Sequence, residues 1–324
     1  MRPRIVYVHG SGPKQRAELL RSQWDRALFG RDVGDTSQLA YWAPVLHPEP
    51  LPDTFPDPLE GRPRAVAAAE AEDEAETPAH PLLEDPAQFV ARTAAEAKAV
   101  RGAAGESVRD RAGGAVLGGW LRDMTYLAEA LALAEEPHPG RGEEPLPRAL
   151  PLPRPARTAM FRLLVRHIFE DVHAYFFGGA GPAVRQVVSD ALDATEAARE
   201  RDGGGPLVVV GHSLGSVVAY EVLAARNTRV DLFVTLGSPL AVTEVRDCLA
   251  APPAVPDGTA LWLNASDARD LVALDHTLRP EYAPPGRITD LLVSNGSANH
   301  HGIAEYLADP LVQEPVRRVF SRIA

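Results

Sequence analysis

The chain is predicted to fold as an α/β protein: a mostly parallel sheet with helices on both faces and one large helical and proline-rich insertion. Three observations carry this. Apolar runs of four to six residues, such as "IVYV" and "LVVV", alternate with helical periods, the pattern of strands buried on both faces. The stretch 43–158 breaks that alternation and holds 17 of the 30 prolines. A chain of 324 residues, 45% hydrophobic, is long enough for one large core carrying such an insertion.

Taken in order, Ile5 to Val8 reads as the first strand. A glycine loop, a helix over about 16–29 and an extended stretch near 39–42 follow. Beyond the insertion, helices are expected at 159–177 and 183–200, and strands at 207–210, 231–236, 259–264 and 288–293. The main domain is therefore 1–42 with 159–324, and 43–158 is the insertion. Within it, "HPEPLPDTFPDPLEGRP" is too rich in proline for helix and lacks strand alternation, so it reads as extended loop. "RAVAAAEAEDEAE" has helix formers but almost no bulky apolar residue, so it reads as a solvated helix or disorder. Val116, Leu117, Trp120, Leu121, Met124, Leu127 and Leu131 recur at helical spacing and must cover something. Two readings stand: the stripe packs on the core, or it forms a lid whose Trp120, Met124 and Leu127 line a substrate pocket.

Net charge is −11, which argues against a nucleic-acid partner and against an anionic membrane surface. A single cysteine, Cys248, excludes an internal disulfide framework and suits a reducing compartment. There is no run of 18 apolar residues and no leader pattern, so no integral membrane segment and a cytoplasmic location are expected.

The chemistry centres on "VVVGHSLGSVVAYEVL", 208–223. A strand running into Gly-x-Ser-x-Gly and then a helix makes a sharp turn that lifts the Ser213 hydroxyl above the sheet, at a helix N-terminus. A neutral hydroxyl needs a general base. Of ten histidines, His212 lies inside the turn and reads as packing; His47, His80 and His138 lie in proline-rich loops, where a solvated surface is the default. His167 and His173 sit on an apolar helix. "SNGSANHHGIAEYL" offers His301, with His300 as the alternative, between the last strand and a helix. An orienting acid would leave the preceding strand: Asp270 is preferred in "NASDARDLVALDH", while Asp267 and Asp275 suit turn and helix caps. No cysteine or carboxylate cluster accompanies the histidine pair, so no metal is expected. The glycine loop "VYVHGSGPK" can aim the Ser11 N–H, together with that of Leu214, at an oxyanion. It lacks the spacing of a phosphate loop.

These pieces together resemble the α/β-hydrolase superfamily of serine hydrolases. The resemblance rests on "VYVHGSG", the elbow, "VTLGSPL", "LWLNASDARDLVA" and "HHGIAEYL", and covers 4–42 and about 200–310. "LGSPL" and "DLVA" look like its lipase and esterase branches. The resemblance implies a triad of Ser213, Asp270 and His301, hydrolysis of carboxylic esters, thioesters, amides or peptides, and no cofactor. The expected partner is a small-molecule ester that can carry an apolar acyl group. A peptidase or amidase, a thioesterase, and a catalytically silent binding module are the alternatives. The insertion departs from the family pattern, whose cap follows a later strand.

Overall fold

In the computed structural model, residues 2–55, 57, 59, 120, 124 and 168–321 are described. Strand β1 (Arg4–Val8) shows how its sequence builds a two-sided sheet. Ile5 and Tyr7 enter one apolar cluster, Val6 and Val8 the other, because successive side chains of a strand point to opposite faces. Strand β3 (Leu207–His212) repeats the pattern: Val208 and Val210 join Ile5 and Tyr7, and Val209 joins Val6.

The remaining strands are β2 (Ser37–Ala40), β4 (Val230–Leu236), β5 (Thr259–Ser266) and β6 (Ile288–Leu292). They pair in the order β2-β1-β3-β4-β5-β6, every pair parallel. Parallel neighbours need crossovers, and helices lie in those from β1 to β2, β3 to β4 and β4 to β5. Helix α1 (Ala17–Phe29) covers one face through Leu20, Trp24 and Leu28, joined there by α5 (Ile303–Ala308) and α6 (Pro310–Ser321). The other face is covered by α2 (Gly181–Arg201), α3 (Leu214–Ala224) and the helical residues 168–176. A short helix, α4 (Thr243–Arg246), follows β4. Helix α3 is buried from Leu214 to Leu223, as expected of a helix apolar nearly all round. Fully burying each Val or Leu side chain contributes about 1.5–3 kcal/mol, so these two faces hold the fold together.

The expected α/β class and the parallel, doubly covered sheet are what the chain forms. At 207–212 and 259–266 the strands run two residues beyond the expected ends. The ladder continues there through the polar His212 and Ser266, which pair with Leu236 and Leu292. The second strand sits slightly earlier than expected, at 37–40, and Trp42 lies in a buried turn after it.

One topological fact positions the site. From β1 the chain steps to β2 on one side and later returns as β3 on the other side. At such a switch point the loops leaving the two central strands diverge, and a crevice opens beyond their carboxyl ends.

Candidate active site

That crevice holds the loop after β1 and the turn after β3. Ser213 sits between β3 and α3 with φ 53° and ψ −133°, a backbone conformation that costs a non-glycine residue about 1–3 kcal/mol. The surrounding turn secures it: the Ser213 N–H donates to the Leu236 carbonyl at 3.0 Å, and its carbonyl accepts from the Ser216 N–H and hydroxyl. Glycine is required two residues on. A Cβ on Gly215 would lie 2.2 Å from the His9 carbonyl oxygen, so elbow and first loop meet backbone to backbone.

His301 is buried, and its Nδ1–H donates to Asp270 Oδ2 at 2.8 Å. Asp270, in the loop after β5, is wholly buried and also accepts from the Val272 N–H at 2.9 Å and the Tyr306 hydroxyl at 2.6 Å. Burial first, then the Asp270 charge, holds the Tyr306 phenol well above its ordinary range, so it stays a donor. With Nδ1 engaged, His301 Nε2 is the ring nitrogen left over, and it is buried with no hydrogen-bond partner among the described residues. Gly237, at the end of β4, makes room for the pair. A Cβ there would lie 2.7 Å from Asp270 Oδ2 and 2.8 Å from His301 Nδ1.

Ser213 and His301 line one small cavity with Gly10, Ser11, Lys14, Leu59, Ile168 and His212. Ser11 is therefore at the site, and Leu214 is the first residue of α3, where a backbone N–H has no intrahelical acceptor. His300 is turned elsewhere: its φ is +56° and its Nδ1–H donates to the Asn295 carbonyl at 3.0 Å. Asp267 accepts from the Asn295 and Arg269 N–H groups, and Asp275 from Thr277. Burial pushes the Asp267 carboxyl up, but Arg269 and those N–H groups outweigh it and hold its pKa below the ordinary value.

Two further histidines pack beside the site. His212 packs against His301, ring centroids 4.6 Å apart, and its Nε2–H donates to the His301 carbonyl at 2.8 Å. Burial and the neighbouring His301 hold its pKa well below the usual value. His9 is likewise neutral, its pKa pushed by burial and Lys14 down to about 3.

Trp120 and Met124 belong to the buried cluster on the α2–α3 face; Leu127 lies outside the described residues. The apolar side chains on the cavity, among those described, are Leu59 and Ile168. The sequence reading missed Leu59, Lys14, Asp57, His47 and Asp171. His47 is not a solvated loop residue: its Nε2 lies 3.0 Å from the buried Asp171 carboxylate. It missed too the Asn295–Ser297–Asn299 turn, where Asn299 accepts the His301 N–H at 3.1 Å. The run "SNGSANHH" carries the only signal for the last, as Asn and Ser side chains build local turns. No group of three or more His, Cys, Asp or Glu side chains suited to a metal occurs among the described residues.

Residues 178–321 match the hydrolase family described as serine aminopeptidase, S33. The lipase LipV of Mycobacterium tuberculosis (strain ATCC 25618 / H37Rv) is 38% identical over 80 residues, 24% of this chain and 29% of that lipase. The similarity thus spans under a third of the relative's length. No solved structure matches. Sheet, strained serine turn and this match over less than half of the chain together support an α/β-hydrolase superfamily serine hydrolase.

Proposed function

We propose that the chain is an esterase- or lipase-like enzyme that cleaves a carboxylic ester-type bond through an acyl-enzyme on Ser213, His301 and Asp270. The observation that carries this is the buried His301–Asp270 pair, with His301 lining the same cavity as Ser213 and its Nε2 not engaged by Asp270. In the proposed cycle, Ser213 Oγ attacks the ester carbonyl while His301 Nε2 takes the hydroxyl proton. Asp270 keeps the proton on Nδ1 and stabilises the imidazolium without taking it. The Ser11 and Leu214 N–H groups receive the oxyanion. The C–O bond breaks, the alcohol leaves with the proton from His301, and an ester to Ser213 remains. Water, deprotonated by His301, then attacks that ester, releasing the acid and restoring the hydroxyl.

The family description raises the aminopeptidase alternative. An aminopeptidase needs a carboxylate to receive the substrate's α-ammonium. Lys14, the charged aliphatic side chain among the described lining residues, is paired with Asp57 and decides neither way, so the substrate panel decides. No helix among the described residues is long and apolar enough to cross a membrane. The single cysteine suits a cytoplasmic enzyme, and that location belongs to the proposal. A panel of esters, thioesters and aminoacyl amides with graded acyl length tests the substrate class. Ser213→Ala is expected to lower ester turnover by roughly 10³-fold or more with unchanged melting. Full ester turnover in folded Ser213→Ala, or a wild type whose Ser213 gains no mass from a fluorophosphonate, would refute the mechanism.

A further inference from the structure

The loop after β1 is Gly10-Ser11-Gly12, a sequence whose peptide planes rotate easily, since glycine admits both signs of φ. Gly12 already stands at φ +85°. Yet the two peptide groups flanking the Ser11 Cα are held by side chains. The Ser11 carbonyl accepts from Lys14 Nζ at 2.6 Å, and the N–H of Gly12 donates to Asp171 Oδ2 at 2.6 Å. Those are the two ends of one peptide unit. The unit before it is held through the Gly10 carbonyl, which accepts from His9 Nδ1–H at 2.9 Å. The tautomer of His9 follows from its other nitrogen, since Nε2 accepts the Trp42 and Ala43 N–H groups at 3.0 and 3.1 Å.

Each outer anchor is itself fastened. Lys14 Nζ reaches Asp57 Oδ2 at 2.5 Å, and Asp171 meets His47 Nε2 at 3.0 Å. Lys14, Asp57 and Asp171 are all buried, so neither contact is screened as a surface ion pair would be. A buried lysine and two buried aspartates around five residues of loop are costly to assemble for a loop that merely connects two elements.

We propose that Lys14 and Asp171 are positioning residues that clamp the Ser11–Gly12 peptide and so hold the Ser11 N–H on the oxyanion. The inference rests on the reading of Ser11 as an oxyanion donor. The Ser11 N–H lies in the unit that His9 anchors, and a clamped Ser11–Gly12 unit keeps it there by preventing rotation about the Ser11 Cα. With the Gly12 N–H engaged by Asp171, that group is withheld from substrate. A donor pre-aimed at charge that develops only in the transition state raises kcat and leaves ground-state binding alone.

The test uses the full chain and an activated short-chain ester. Asp171→Leu removes the acceptor for Gly12; Asp171→Asn keeps one. Lys14→Met combined with Asp57→Asn removes the donor to Ser11 without leaving a buried unpaired carboxylate. The Leu and double variants are expected to lose roughly 10- to 100-fold in kcat at nearly constant KM, the scale set by misplacing one reacting group. Their affinity for a trifluoromethyl ketone, which forms an oxyanion on Ser213, is expected to fall by the same factor. Asp171→Asn is expected to stay near wild type. If Asp171→Leu does not fold, the double variant decides. Folded variants with wild-type kcat and ketone affinity overturn the clamp, as does a loss confined to KM or an Asn variant as poor as Leu. In those cases the wild type still hydrolyses the ester and Ser213 still takes a fluorophosphonate. A wild type that does neither overturns the hydrolase reading, and the clamp with it.

Discussion

His300 and His301 are identical side chains on adjacent residues, and the environment of each gives it a different partner. His301 faces Asp270, whereas the positive φ of His300 turns its ring to the Asn295 carbonyl. His301→Asn is therefore expected to lower kcat by about 10³-fold or more, in keeping with loss of a general base. His300→Asn, which tolerates positive φ, is expected to stay within about tenfold of wild type. Steady-state kinetics on both variants checks this, and equal losses would count against the assignment. The serine was legible because its turn is local: strand, Gly-x-Ser-x-Gly and helix lie within sixteen residues. The choice within the histidine pair was left open because it depends on one backbone dihedral and on an aspartate 31 residues away. Neither leaves a periodic trace in sequence.

At the scale of elements, the strands were legible from their apolar runs, and their boundaries moved by only a residue or two where the ladder outlasted the apolar pattern. The region from 43 onward was harder. Its proline-dense start reads as loop, yet Gln15 Nε2 donates to the carbonyls of Asp53 and Phe55, and the Leu51 N–H donates to that of Lys14. Contacts of this kind join backbone groups across tens of residues and need no hydrophobic period. Trp120 and Met124 carry a clearer consequence. Both are almost completely buried within the cluster that includes Phe169, Val172 and Val188. Trp120→Ala is expected to lower stability by about 3–5 kcal/mol, the range for a large aromatic removed from a core. Urea denaturation measures it, and a change under about 1 kcal/mol would mean the site is not core.

The whole molecule has a pH response built into its buried histidines. His9, pushed down to about 3, and His212, well below its ordinary value, are both neutral in the folded chain. Unfolded, each takes a proton near the ordinary value of about 6.5. Above that pH neither state binds the proton and these groups contribute no slope. Between about 6.5 and 3 the unfolded state binds more protons, so stability falls as pH falls. The expected slope is about 1.4 kcal/mol per pH unit for each histidine. Unfolding measured between pH 6.5 and 5, above the range where most carboxylates titrate, checks it; a flat profile would contradict the neutral state of both rings. The order of the sheet belongs to this scale as well. Nothing local in the sequence says that β3 pairs with β1 after an excursion from 41 to 206, yet that pairing creates the crevice.

Asp57 and Leu59 precede the long excursion toward residue 168, and Asp171 follows it closely; all three reach the loop after β1. The chain is thus moored on either side of that stretch, and the two aspartates tie it to the loop after β1.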